Sequence, residues 1–129
     1  MRSRAISFSL SADGKWTEDS GGSLPTIEGM SISAVDARCD DQIWLSTWSY
    51  LQPTALSLAD AKDGIAQMRA NAEPLRSLPA MFDASTHEVA QGSAVSKDGT
   101  NVPYFIVRPK DAAGPVPTIL YGYGGFQIR

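Results

Sequence analysis

A glycine-rich segment, residues 121–126, is the part of the sequence whose composition and spacing best suit chemistry. It reads Tyr-Gly-Tyr-Gly-Gly-Phe and follows a short apolar run, Thr118–Tyr121. Glycines at the carboxyl end of a strand let backbone amides approach a ligand closely, which suits the binding of a phosphate or an oxyanion. Gln127 occupies the place of the third glycine of a dinucleotide fingerprint, and the segment lacks the Gly-Lys-Ser/Thr of a phosphate-binding loop. On spacing alone, a structural glycine turn remains the alternative.

Residues that could bind a metal are few. Cys39 is the only cysteine and His87 the only histidine, so these residues can form neither an internal disulfide nor the usual zinc ligand sets. The acidic residues Asp36, Asp40 and Asp41 lack the ligand spacing of a calcium loop, and we interpret them as a solvated turn. We therefore predict no metal and no cofactor, and we interpret Cys39 as incidental.

The composition narrows the function classes. The 129 residues carry a net charge of −3 and are 43% hydrophobic, an ordinary globular composition that fits one domain of typical size. The absence of a basic cluster argues against nucleic acid or an anionic membrane as a partner, and every apolar run is too short to span a membrane. Serines interrupt the apolar residues near the amino terminus at every second position, which favours a strand over a signal peptide. A cytoplasmic location is favoured, with a periplasmic one left open.

Two segments show the pattern of a β-hairpin, in which alternating strands flank a turn that tolerates positive φ angles. In the first, Ala5–Ala12 and Lys15–Thr17 flank an Asp-Gly turn. In the second, Glu88–Ser96 and Thr100–Arg108 flank a Lys-Asp-Gly turn. The apolar run Thr118–Tyr121 has instead the uninterrupted character of a strand buried on both faces of a sheet.

Between the hairpins we predict four short strands in a row: Met30–Val35, Gln42–Ser49, Ala55–Ala59 and Ile65–Arg69. Four short antiparallel strands joined by tight turns are the content of one blade of a β-propeller. A helix over residues 55–72 is the competing interpretation, because Ala, Leu and Met are frequent there. Pro53 before this stretch and Asp63-Gly64 inside it favour strands. Trp44 and Trp48 share one face of the second strand, and we expect core packing between blades, with a binding platform that includes Trp16 as the alternative.

Three motifs in the second half of the chain occur in the order and spacing of a known family. They are Ser-Lys-Asp-Gly-Thr at residues 96–100, Val-Pro-Tyr-Phe-Ile-Val at 102–107 and Leu-Tyr-Gly-Tyr-Gly-Gly-Phe at 120–126. In these motifs the sequence closely resembles the prolyl oligopeptidase family of serine peptidases. The resemblance is strong from about Leu78 onward and weaker before it.

The resemblance implies a fold in which a seven-bladed β-propeller is joined to an α/β-hydrolase domain. Residues 1–73 would form the C-terminal portion of the propeller, including its final antiparallel blade, and residues 74–87 a linker. Residues 88–129 would form the first strands of a truncated hydrolase domain. We therefore expect a mostly β fragment that spans the propeller–hydrolase junction.

The resemblance also implies roles for residues of the glycine-rich segment. The hydroxyl of Tyr123 would donate to the oxyanion hole, and Phe126 would line the pocket that accepts proline. Gly122, Gly124 and Gly125 would form the turn that holds these two rings in place. The chemistry fits, because a phenol can donate a hydrogen bond to a developing oxyanion and an aromatic face packs well against a pyrrolidine ring.

The catalytic triad has no candidates in this sequence. No serine lies in the G-x-S-x-G pattern of a nucleophile elbow, and the nearest match, Gly21–Pro25, lacks the final glycine. In α/β-hydrolases the order is Ser, Asp, His after the oxyanion strand, so His87 comes too early, and we interpret it as a surface or linker residue. We predict a fragment of a serine-type endopeptidase that cleaves proline-containing oligopeptides after proline and that is inactive alone. The alternative is a noncatalytic, propeller-derived binding or interaction module.

Overall fold

The structure, a computed structural model, describes residues 5–18 and 28–122. Within these ranges the strands are β1 (Phe8–Leu10), β2 (Trp16–Glu18), β3 (Glu28–Ala34), β4 (Gln42–Ser49), β5 (Ala55–Asp60), β6 (Glu73–Ser77), β7 (His87–Val95) and β8 (Asn101–Pro109). The helix α1 spans Gly64–Asn71, and short 3-10 turns occur at Ala61–Asp63 and Ala84–Thr86. The strands form two hairpins and one four-stranded sheet, all antiparallel.

Both predicted hairpins are confirmed. β1 pairs with β2 around Gly14, whose φ is +79°, and β7 pairs with β8 around Gly99, whose φ is +85°. The carboxylate of Asp98 accepts the backbone N–H of Thr100 at 3.0 Å, and this hydrogen bond is the main cause that lowers the pKa of Asp98. Local turn chemistry therefore determines both hairpins.

The four-stranded sheet runs β3-β4-β5-β6, so each strand pairs with the next one along the chain. The second predicted strand, Gln42–Ser49, matches β4 at both ends. Ile43 and Leu45 alternate along β4 and are buried against Ala59 of β5 and Met68 of α1. The small core of this sheet therefore lies on the face that α1 covers.

The prediction of a strand at Ile65–Arg69 is wrong, because these residues lie in α1. The competing helix over residues 55–72 is right only for its second half, since residues 55–60 form β5. Ile65 and Met68 are both 4% exposed, and their i, i+3 spacing places them on one helical face. Burial of that face against the sheet outweighs the turn tendency of Asp63-Gly64, where Gly64 has a φ of +68°. Among the described residues no helix is long and apolar enough to cross a membrane.

The helix is also joined to the sheet by an ion pair. The guanidinium of Arg69 on α1 donates two hydrogen bonds to the carboxylate of Glu28 on β3, one of them from Nη2 to Oε1 at 3.1 Å. Both side chains are partly buried, so this pair is less screened by solvent than a fully exposed one. It ties the end of α1 to the first strand of the sheet.

The fourth strand of the sheet comes from β6, which lies where the sequence predicts the start of a linker. β6 pairs with β5 across an irregularity between Leu56 and Ser57, and Pro74 sits on this edge strand, where a missing N–H is tolerated. The N–H of Leu78 donates to the carbonyl of Thr54 at 2.9 Å and extends the pairing by one residue. The division of the chain into domains at residues 73 and 87 stays a prediction.

The prediction of a buried strand at Thr118–Tyr121 is also wrong for this structure. Ile119 and Leu120 are 95% and 96% exposed, and these residues pair with none of the described strands. A strand can be buried on both faces only when other strands flank it and further elements cover it. Without such neighbours in the described part of the chain, the apolar run lies outside the sheets and stays exposed.

In each of two antiparallel strand pairs, an aromatic ring lies over the glycine that is its partner on the neighbouring strand. Gly29 faces Trp48, and Gly92 faces Tyr104. Trp48 and Trp44 are 43% and 37% exposed, on the face opposite Ile43 and Leu45. The described residues form a single four-stranded sheet, so the packing of these tryptophans between blades stays a prediction. Within the sheet, the Trp48 ring covers Gly29.

We expect Gly29→Ala to destabilise the sheet, because a Cβ at residue 29 would lie 2.2 Å from Cε2 and Nε1 of Trp48. The rigid indole must move off the strand, and overpacking of this kind costs about 1–3 kcal/mol. Urea denaturation measures the change in the free energy of unfolding. In a Trp48→Ala background the same substitution should cost nothing, and an equal loss in both backgrounds would rule out the ring as the cause.

Candidate functional site

The structure describes the entrance to the glycine-rich segment but not its centre. Tyr121 is 84% exposed, and a Cβ built on Gly122 would contact nothing. Tyr123, Gly124, Gly125 and Phe126 lie outside the described residues, as does the partial match to a nucleophile elbow at residues 21–25. The roles assigned to Tyr123 and Phe126 therefore stay predictions.

His87 is held by its near neighbours in the chain. It is half-buried as the first residue of β7, with its Nδ1 3.0 Å from the hydroxyl oxygen of Thr86. Its ring is nearly perpendicular to that of Phe82, with an interplanar angle of 80° and centroids 5.3 Å apart. Two hydrogen bonds from Ser85 to Asp83 chiefly lower the pKa of Asp83, with a smaller contribution from the nearby His87. The ring of His87 thus helps to pack the start of β7 and is not a freely exposed surface side chain.

The acidic turn that contains Cys39 is stabilised by its own hydrogen bonds. The carboxylate of Asp36 accepts the N–H of Arg38 at 3.0 Å, and this bond, together with one to Cys39, lowers the pKa of Asp36. Asp41 forms an ion pair of 2.8 Å with Lys62. Cys39 is exposed and not in a disulfide. In the described ranges, no three Asp, Glu, His or Cys side chains lie together in a way that could hold a metal ion.

A groove that no sequence motif predicts lies between the β4–β5 turn and the segment that leaves β6. Its volume is about 520 Å³. The described residues that line it carry no charged side chain, and the largest apolar ones are Trp48, Tyr50, Leu51, Leu78, Met81 and Phe82. Most of them fall in segments predicted as a turn and a linker. The sequence signal for this groove is the presence of aromatic and aliphatic side chains in a predicted turn and a predicted linker, segments in which polar residues are more usual.

One side chain of this groove also reaches the second hairpin. The rings of Tyr50, in the β4–β5 turn, and Phe105, on β8, are tilted by 42° with centroids 5.3 Å apart. This distance lies within the range of favourable aromatic pairs. Tyr50 therefore lines the groove and also contacts the β7–β8 hairpin.

Comparisons with known proteins point consistently to peptidases. No protein-family model matches the chain. An uncharacterized peptidase of Sinorhizobium fredii is 43% identical over 107 residues, which cover 81% of this chain and 14% of the relative. A prolyl oligopeptidase A of Galerina marginata is 54% identical over 43 residues, 32% of this chain and 6% of the relative. The chain thus spans only a small part of the length of the curated relatives it matches.

A solved structure from a study of two prolyl endopeptidases matches nearly all of the chain. The match covers 98% of this chain and 17% of the other, with 36% sequence identity and a TM-score of 0.53. A match of this extent takes in both the four-stranded sheet and the β7–β8 hairpin.

Proposed function

We propose that this chain, which belongs to the prolyl oligopeptidase family of peptidases, supplies part of the substrate-binding apparatus of a serine-type endopeptidase. The proposed enzyme cleaves short peptides after proline. The observation that carries this proposal is the match to a solved prolyl endopeptidase over 98% of the chain. The glycine-rich motif at residues 121–126 supports it at the level of single residues.

In this proposal the sheet β3–β6 is the last blade of a propeller, and residues 88–129 open a hydrolase domain. The support for the blade is its topology, because four consecutive antiparallel strands in the order β3-β4-β5-β6 have the connectivity of one blade. The support for the hydrolase strands is the β7–β8 hairpin followed by an apolar run and the glycine-rich motif.

The proposed reaction is acyl transfer. A serine oxygen attacks the carbonyl carbon of the proline residue, the C–N bond of the tetrahedral intermediate breaks to release the amine, and water hydrolyses the acyl ester. The hydroxyl of Tyr123 donates a hydrogen bond to the oxyanion of that intermediate, and the ring of Phe126 packs against the pyrrolidine. The 129 residues contain no G-x-S-x-G serine, so the proposal assigns the nucleophile and its partners to other parts of the complete enzyme.

Phe126→Ala should weaken the selection of proline. We would test it in a graft enzyme, defined as the solved prolyl endopeptidase in which residues 1–129 of this chain replace the matching segment. Loss of the apolar wall should raise KM for a Gly-Pro amide more than for a Gly-Ala amide and lower the Pro-to-Ala ratio of kcat/KM about 10- to 100-fold. The Gly-Ala amide is the matched control. An unchanged ratio in a variant that melts like the parent would contradict the pocket assignment.

A further inference from the structure

The β7–β8 hairpin has two outer edges, and its hydrogen bonds show which backbone groups face them. In an antiparallel pair, opposite residues alternate between bonded pairs and pairs whose N–H and C=O groups point outward. The N–H of Ser96 donates to the carbonyl of Thr100 at 2.8 Å, and the N–H of Lys110 donates to that of Thr86 at 2.9 Å. With the register of the hairpin, these two bonds make the even-numbered residues of both strands the bonded pairs. The odd-numbered residues therefore direct their backbone polar groups outward.

The two outer edges differ in their capacity to accept a further strand. On β8 the outward positions include Pro103 and Pro109, which have no N–H to donate. On β7 none of the outward positions is a proline: they are His87, Val89, Gln91, Ser93 and Val95. Among the described residues β7 pairs with β8 alone, and no bulge interrupts its nine residues. The outer edge of β7 is thus complete and unblocked, which is the kind of edge to which another strand adds.

The side chains of β7 suit pairing with an antiparallel copy of the same strand. If Gln91 faces Gln91 of a second copy, every outward residue meets another outward residue, so the two edges can bond in register. Glu88, the only acidic residue of β7, then lies opposite Ala94 of the second copy and keeps its own ion pair with Arg108. No like charges lie opposite each other in this register, and none of its pairs is therefore repulsive.

Such pairing would also extend the sheet of the hairpin. A two-stranded hairpin is only marginally stable by itself, and three or more strands with an apolar face are needed for independent stability. Val102, Tyr104 and Ile106 form an exposed apolar row on one face of β8. In the antiparallel arrangement the rows of both copies lie on the same face of one four-stranded sheet, in the order β8-β7-β7-β8. A second copy therefore supplies the strands that the hairpin lacks.

We propose that β7 pairs through its outer edge with β7 of a second copy of this chain, antiparallel and centred on Gln91, to form a two-fold symmetric dimer. A two-fold axis requires the same surface on both copies, and the register centred on Gln91 meets this requirement. The inference does not depend on the proposed peptidase function.

Sedimentation velocity of the 129-residue chain at increasing concentration tests the dimer, and we expect a monomer–dimer equilibrium. Ser93→Pro removes an outward N–H and no bond to β8. The symmetry removes two hydrogen bonds from the interface, so the dissociation constant should rise about 5- to 100-fold. Asn101→Pro is the matched control, because it removes an outward N–H from the edge of β8 and should leave the dimer as stable as in the parent chain.

Charge substitutions at Gln91 test the register. Gln91→Lys and Gln91→Glu each place two like charges opposite each other at the two-fold axis. Each variant alone should dimerise about two- to fivefold more weakly than the parent chain. An equimolar mixture of the two should form the heterodimer in preference to either homodimer, because opposite charges then meet.

A disulfide between copies gives a second test of the register, in a Cys39→Ser background. Gln91→Cys should crosslink the dimer, because the Cα atoms of a bonded antiparallel pair are about 5.5 Å apart and lie within disulfide range. Ala90→Cys is the matched control. Residue 90 lies opposite Gly92 of the second copy, so the two introduced cysteines are about 7–8 Å apart and should not crosslink.

A parent chain that stays monomeric at every concentration would overturn the proposal, and slow hydrogen exchange along β7 in that monomer would place another segment of the same chain on the edge. A dimer that Ser93→Pro and Asn101→Pro leave equally stable would place the interface elsewhere and equally contradict it. A mixture without preference for the heterodimer would rule out the register. Circular dichroism checks that each variant keeps its strands, and the charge variants decide if Ser93→Pro does not fold.

Discussion

We expect Tyr123→Phe to lower kcat of the graft enzyme about 10²- to 10³-fold and to leave KM nearly unchanged. The substitution removes only the phenolic hydroxyl, so the packing of the ring is retained. The lost hydrogen bond is one that forms with the oxyanion of the intermediate and not with the ground-state carbonyl, which is why turnover and not binding should suffer. Steady-state kinetics on a chromogenic Gly-Pro amide measures both constants.

Tyr121→Phe is the matched control, because it removes a hydroxyl from the other tyrosine of the same glycine-rich segment. Tyr121 is exposed in this structure, and we expect its variant to keep the parent kcat. If Tyr123→Phe turns over at the parent rate, the oxyanion assignment is wrong. If instead both variants lose thermal stability and activity in parallel, the tyrosines serve packing and not catalysis.

The second large effect concerns the 129-residue chain alone, which we expect to hydrolyse no proline-containing peptide above background. The physical reason is that none of its serines lies in the G-x-S-x-G turn that presents a nucleophile, and its single histidine precedes the glycine-rich segment. A serine-directed phosphonate should therefore leave the mass of the chain unchanged. Stoichiometric labelling would show a nucleophile that the sequence pattern does not reveal.

Hairpins and one central strand could be predicted from sequence because their determinants are local. Gly14 and Gly99 take the positive φ angles that their Asp-Gly turns require, and the first four residues of β4 alternate between exposed and buried side chains. These signals lie within ten residues of the elements they specify. No knowledge of the rest of the molecule is needed to read them.

The elements that were mispredicted depend on partners distant in the sequence. Met68 is buried against the β4–β5 surface and Ile65 is buried on the same helical face, whereas Asp63-Gly64 provide the opposite local signal. The Thr118–Tyr121 run has the composition of a buried strand, but composition cannot supply the flanking strands that such burial requires. Alternation along β4 identifies two faces without saying which one is covered, so it does not by itself place Trp44 and Trp48.

The candidate site likewise has features that the sequence could predict and features that it could not. The glycine-rich motif could be identified from its residues, and the peptidase relatives agree with the family that it indicates. The groove and the Tyr50–Phe105 contact could not be identified, because they bring together a turn, a connecting segment and a strand separated by many residues. The assignments of Tyr123 and Phe126 rest on the motif and await the kinetic tests above.

The turnover of the graft enzyme is the most direct test of the central proposal that this chain supplies a substrate-binding part of a prolyl-specific serine peptidase. The measurement is the rate of hydrolysis of a chromogenic Gly-Pro amide by the purified, folded graft enzyme, with and without the phosphonate, beside the 129-residue chain alone. We predict turnover that the phosphonate abolishes in the graft enzyme and none in the chain alone. A graft enzyme that folds cooperatively yet shows no turnover would contradict the proposal and favour a noncatalytic binding module.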